Sequence, residues 1–231
     1  MGGVWVFPGG VVDDSDAGAL AVEAVASADS ALRPWRAAAV RELVEETGIW
    51  LLSRGVAATP DRPHGAQIFA SVIESGERFA GDALRYFANW ITPALLPFRF
   101  DTRFFAAGVP AGVDAAIDGG ELVDAEWIRP AEALQRGRDG TWVVAFPTRI
   151  TLARLVEYAS WRAFDDHAEA LGTISPVEPR IVAAAATIEI MMPGDPGFEA
   201  AAPDRMSPSE RAAVARIVDA EGRPVPEVGP A

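Results

Sequence analysis

Chemistry concentrates in one stretch of the chain, Arg41-Glu42-Leu43-Val44-Glu45-Glu46-Thr47-Gly48-Ile49. It sets three carboxylates at i, i+3 and i+4 ahead of a glycine that suits a helix end. A helix turns about 100° per residue, so Glu42, Glu45 and Glu46 share roughly one arc, while Val40, Leu43 and Val44 take the other side. One face can bury while the other presents concentrated negative charge. Like charges at these spacings repel and destabilise a bare helix. A hard divalent cation removes that cost, because Mg²⁺ and Mn²⁺ take oxygen ligands. A solvated acidic face is the bland alternative. Arg41 stands one turn before Glu45, where it either orients the carboxylates or forms an ordinary helix ion pair worth about 0.2–0.5 kcal/mol.

Upstream, the apolar run Val4-Trp5-Val6-Phe7 leads into Pro8-Gly9-Gly10. With the acidic run, these residues resemble the Nudix hydrolase box, G-x5-E-x7-R-E-U-x-E-E-x-G-U with U apolar. Arg41, Glu42, Leu43, Glu45, Glu46, Gly48 and Ile49 match every defined position of its second half. The first half departs. The sixth place after Gly10 holds Asp16 instead of Glu, and residues 11–40 separate Gly10 from Arg41, a longer interval than the pattern allows. The excess is read as an insertion over Ala17 to Leu32. The box's first Glu has Asp16 and Glu23 as candidate counterparts, or none, and no role is carried onto either.

A split box narrows the resemblance to the Nudix branch that includes the peroxisomal coenzyme-A diphosphatase. Downstream motifs look like the same branch: Trp90-Ile91-Thr92-Pro93, Arg99 to Phe105, Gly120-Glu121 leading to Trp127 and Pro130, and Pro147-Thr148. The resemblance implies an α/β fold, a mixed β-sheet sandwiched between helices with an inserted helix inside the box, spanning residues 1–171, with residues 172–231 as an appendage. Relatives carry about one or two strands before the box, within the size of an ordinary domain. Only Met1-Gly2-Gly3 precede Val4 here, so the reading expects missing N-terminal strands and a displaced start.

The resemblance further implies a pyrophosphohydrolase that uses Mg²⁺ or Mn²⁺, held by Glu42, Glu45, Glu46 and the carbonyl of Gly9 or Gly10. Arg41 and Glu45 fall among its catalytic residues. Its substrate is a small nucleoside-diphosphate-linked compound, coenzyme A or acyl-CoA by the branch, ADP-ribose or a dinucleotide otherwise. Relatives differ in the general base. Glu121, ahead of an expected strand, is the candidate here, with Asp124 and Glu126 competing. A non-catalytic binding or regulatory module of the same fold is the reading from another class, motivated by the short N-terminus and the unsettled first Glu.

Composition bounds these readings. The 231 residues suffice for one domain with a sizeable core, and half are apolar. The net charge of −13 comes with no basic stripe, which argues against nucleic acid and against anionic membranes. Every basic residue is Arg, and Cys is absent, which excludes disulfides, thiolate metal sites and a cysteine nucleophile. The absence of a visible targeting segment gives a cytoplasmic expectation. The two histidines, His64 and His167, are too few for a histidine metal site and read as bland. Arg99, Asp101 and Arg103 form either a phosphate clamp or a structural ion pair. Trp90, Phe104, Phe105 and Trp127 read as packing.

The positioning elements follow from local pattern. Val4–Phe7 reads as a strand, 17–32 as an Ala-rich helix, Pro34 to Thr47 as the box helix with Gly48 as its stop, and Ile49 to Leu52 as an extended segment. A helix is expected near Gly76–Phe87, strands over Phe98–Ala106, Leu122–Ile128 and Thr141–Ala145, a short helix from Pro130 and a long one from Pro147 to Leu171. Val177–Met192 reads as a hairpin and Pro193–Gly197 as a turn. Ser207-Pro208-Ser209-Glu210 has a capping-box pattern, and the Pro- and Gly-rich 221–231 reads as disordered.

Overall fold

The computed structural model describes residues 3–60, 62–96, 98–117, 122–184 and 187–201. Glu121 and the 207–210 capping pattern lie outside them. The chain divides into two compact units, residues 1–87 with 105–171 and residues 88–104 with 172–231. The class is mixed α/β, and among the described residues short strands pair as four two-stranded ladders.

In the first unit, β1 (Val4–Trp5) pairs in parallel with β6 (Val143–Val144), and Trp5 stacks on Trp142 at 3.8 Å between ring centroids. A 3₁₀ turn (Asp14–Ala17) leads up to the insertion, whose first part is α1 (Ala19–Ala24). The box helix is α2 (Arg33–Thr47), with Pro34 in its first turn, where no N–H is needed. It ends at Gly48 in the left-handed region (φ 68°), whose N–H donates to Val44 O. β2 (Ile49–Leu52) and β3 (Gly55–Ala58) form an antiparallel hairpin directly after it. Val40, Val44, Ile49 and Leu51 thus enter one core with Ala21, Ala24, Ile68, Phe69 and Phe79. Burial of side chains this size contributes about 1.5–3 kcal/mol each, which fixes the box helix against the hairpin and α1.

The helix expected near Gly76–Phe87 is displaced. It lies earlier, as α3 (Ala66–Glu74), burying Ile68, Phe69 and Val72, an i, i+1, i+4 stripe. Gly76 follows in a positive-φ conformation (73°), and the aromatic, alternating 85–91 segment forms the strand β4 (Arg85–Ile91). β4 pairs with β5 (Asp101–Ala106), and both strands cross the division between the units. The expected strand over 122–128 is not a strand. Its described residues make no ladder, and Trp127 is 61% exposed, against its reading as packing. Trp90 is buried as expected. After α4 (Pro130–Arg138), the single long helix expected from Pro147 is two, α5 (Phe146–Leu155) and α6 (Trp161–Ala170). Ser160 starts the second, accepting a hydrogen bond from Ala163 N.

In the second unit, β7 (Arg180–Ala184) and β8 (Thr187–Met191) form the expected antiparallel hairpin. Val177 N donates to Asn89 O and Ile91 N to Val177 O, both at 2.9 Å. Among the described residues no helix is long and apolar enough to cross a membrane.

Candidate active site on the box helix

One guanidinium organises the site. Arg41 is buried, and it donates to Asp16 through both Nε and Nη2 at 2.9 Å, to Glu42 Oε1 at 2.7 Å and to Glu45 Oε2 at 3.0 Å. Nη2 also donates to Val11 O at 2.9 Å. The planar fork of arginine suits this, since it offers five N–H donors at fixed angles and stays charged when buried. The hydrogen bond with Asp16 holds the Arg41 pKa well above its ordinary value.

The box helix therefore does not leave its charged face open to solvent, against the bland alternative of a solvated acidic face. Arg41 and Glu42 are buried along with Val40 and Val44, because the 3₁₀ turn lies over the charged side. That turn is built locally. Asp13 accepts from Ser15 N at 2.6 Å and Asp16 accepts from Asp13 N at 2.9 Å, a reciprocal capping box that aims Asp16 inward. Hydrogen bonding from Ser15 holds the Asp13 carboxyl below its ordinary pKa.

Asp16 is the site residue left without a role by sequence reasoning. It stands at the place the box pattern gives to its first Glu, and its side chain is fully buried against the box arginine. The spacing from Gly10 carried the signal, because the insertion comes after Asp16 and leaves that interval intact. Glu23, the other candidate, is exposed on α1 and borders a cleft of about 380 Å³ with Arg54, Glu77 and Arg78.

The glycine loop closes on the same carboxylates. Gly9 N donates to Glu46 Oε2 at 2.9 Å. A side chain at Gly10 would run into the Glu42 carboxylate, so only glycine lets the backbone approach there. Glu45 receives a further bond from Gly65 N at 2.6 Å, and His64 Nδ1 lies 3.9 Å from its Oε1. His64 is thus beside the carboxylates, whereas His167 packs near the Tyr158 ring. Burial pushes the Glu42 carboxyl pKa up, with Arg41 opposing. One guanidinium serves three carboxylates, Asp16, Glu42 and Glu45, which leaves surplus negative charge around it in a partly desolvated place.

The donor set suits a hard cation in kind, being carboxylate and carbonyl oxygen, with Gly10 supplying the close approach. The carboxylates as placed are engaged by Arg41, Gly9 N and Gly65 N. Among the described residues, no group of three or more His, Cys, Asp or Glu side chains, as they stand, is placed to hold a metal ion.

The other candidates fall elsewhere. Glu126 is held by Arg136 through two bonds at 2.6 and 2.9 Å, while Asp124 is exposed. Arg99 bonds Glu178 at 2.7 Å and Thr92 O at 3.0 Å, and Arg103 lies 3.4 Å from Asp101. These contacts match the structural ion-pair reading of the 99–103 stretch.

No protein-family model matches the chain. A Caenorhabditis elegans protein described as "Putative nudix hydrolase 7" is 30% identical over 168 residues, 70% of this chain and 53% of that protein. The chain thus spans about half the length of the curated relative it matches. The crystal structure of a NUDIX hydrolase from Alicyclobacillus acidocaldarius superposes with a TM-score of 0.59 at 28% identity, covering 75% of this chain and 82% of that one. The box arginine and its carboxylates thus lie beside the glycine loop in a chain that is similar to nudix hydrolases in both sequence and fold.

Proposed function

We propose that the chain is a metal-dependent pyrophosphohydrolase acting on a nucleoside-diphosphate-linked small molecule, with coenzyme A or an acyl-CoA as the first substrates to test. The observation that carries this is the surplus of negative charge around Arg41, next to a glycine loop with no side chain in the way.

Glu42, Glu45, Glu46 and the Gly10 carbonyl would hold Mg²⁺ or Mn²⁺. When bound, such a cation neutralises phosphate oxygens and lowers the pKa of a coordinated water. Arg41 keeps Glu42 and Glu45 oriented and offsets part of their repulsion, and Asp16 fixes Arg41. Gly9 N and Gly65 N hold Glu46 and Glu45, two of the carboxylates that would share a bound cation. Water attacks one phosphorus, and the bridging P–O bond breaks to give two phosphate monoesters. From coenzyme A these are adenosine 3′,5′-bisphosphate and a phosphopantetheine. Glu121 is the proposed base taking the water's proton. Asp124 is the alternative, since Glu126 is taken by Arg136.

A second reading, a non-catalytic binding module, is favoured by one observation, the engagement of the carboxylates by protein donors. Product analysis by mass spectrometry separates the two. Wild-type protein and Glu46→Gln are incubated with Mg²⁺ or Mn²⁺ and with coenzyme A, an acyl-CoA, ADP-ribose and reduced NAD. Diphosphate cleavage by the wild type that falls at least ~100-fold in the variant supports hydrolysis and ranks the substrates. No cleavage of any substrate by folded wild type supports the binding module.

A further inference from the structure

The donors described so far around the box carboxylates are all engaged by protein. A guanidinium has five N–H groups, and Arg41 gives all of them to Asp16, Glu42, Glu45 and Val11 O. It is buried as well. Gly9 N donates to Glu46 and Gly65 N to Glu45. As placed, none of these N–H groups is left to receive an anion, and the carboxylates themselves repel one.

His64 differs from all of them. Its Nδ1 lies 3.9 Å from Glu45 Oε1, too far for a hydrogen bond. Its side chain is 70% exposed, and among the described residues its ring makes no hydrogen bond. An imidazole carries at least one N–H in either charge state, so a donor is available whatever the proton count. The backbone here is held in place. Gly65 N donates to Glu45 Oε1 at 2.6 Å, and Gln67 N, in the first turn of α3, donates to His64 O at 3.2 Å. One short stretch of chain thus brings an exposed, spare donor beside Glu45, one residue from the amide that anchors it.

We propose that His64 is a substrate-contacting residue. Its ring N–H donates to a phosphate oxygen of a diphosphate bound at the carboxylate site, where Arg41 has no donor left to give. This rests on the hydrolase reading above, which puts the substrate's diphosphate beside Glu45. No bond is made or broken at the ring. The contact is the same in bound substrate and during reaction, so its loss raises KM and leaves kcat nearly unchanged.

The chain has two histidines, so their ring protons are readily followed by NMR. At fixed pH, the full chain is titrated with Mg²⁺ alone and then with inorganic pyrophosphate in the presence of Mg²⁺, and His64→Ala assigns the signals. Pyrophosphate is expected to shift the His64 signals saturably and to leave those of His167, beside Tyr158, in place. In steady-state kinetics on the best substrate, His64→Ala is expected to raise KM about 10-fold with kcat within about 3-fold. His64→Gln, which keeps an N–H donor, recovers part of that KM. Both variants change an exposed side chain and are expected to melt with the wild type. His64 signals unmoved by millimolar pyrophosphate overturn the proposal, whatever the enzyme cleaves. A shift completed by Mg²⁺ alone also overturns it, since the ring then reports the ion and not the phosphate. So does a fall in kcat with KM unchanged. A wild type that cleaves no substrate yet shows the pyrophosphate shift rejects the hydrolase reading and keeps His64 as a diphosphate contact.

Discussion

Arg41 and Arg136 each gather carboxylates at hydrogen-bond distance, yet they sit in opposite surroundings. Arg41 holds Asp16, Glu42 and Glu45 at 2.7–3.0 Å and is buried. Arg136 holds Glu126 and Glu132 at 2.6–2.9 Å on the surface, with its guanidinium 4.7 Å from the Trp142 ring centroid. Hydrogen bonding raises both arginine pKa values. Distance therefore does not separate them, and three carboxylates against two is a small difference. Burial does, because water can replace any partner that Arg136 loses, whereas a partner stripped from Arg41 leaves a charge enclosed by protein.

Among substitutions that bear on this contrast, Arg41→Met should have the largest effect. It leaves Asp16 buried without its cation, a change expected to cost about 3–5 kcal/mol and to lower Tm by roughly 10 °C in a thermal melt. Asp16→Asn keeps shape and leaves Arg41 its two glutamates, so a smaller loss of about 1–3 kcal/mol is expected by denaturant titration. Gly10→Ala forces the loop or Glu42 to move. A loss near 1 kcal/mol is expected, with Mn²⁺ affinity down about 10-fold by calorimetry. Arg136→Ala should leave Tm unchanged within error and Mn²⁺ binding untouched. A fall in Tm for Arg136→Ala equal to that of Arg41→Met would contradict the role given to burial.

The acidic spacing, Pro34 and Gly48 made the box helix and its end legible in sequence, because each acts through local geometry. The hairpin expected over Val177–Met192 is present as β7 and β8. What was not legible depends on tertiary partners. Asp16 looked like a broken motif until the 3₁₀ turn laid it on Arg41, and nothing local marks His64 as a neighbour of Glu45. The stretch 122–128 has strand composition, yet no described strand pairs with it and Trp127 stays exposed. One long apolar pattern from Pro147 became two helices because Ser160 starts a second helix. In the 66–91 region, the buried stripe of α3 sits ten residues ahead of the expected helix, and the aromatic segment after it went to a strand.

Titrating wild-type protein and Glu46→Gln with Mn²⁺ by calorimetry tests most directly whether the carboxylates around Arg41 are built for a cation. The expected result is saturable binding to the wild type, weakened at least ~10-fold by the loss of one carboxylate, with both proteins folded. No heat of binding from a folded wild type at millimolar Mn²⁺ would contradict it and leave the surplus charge without a ligand.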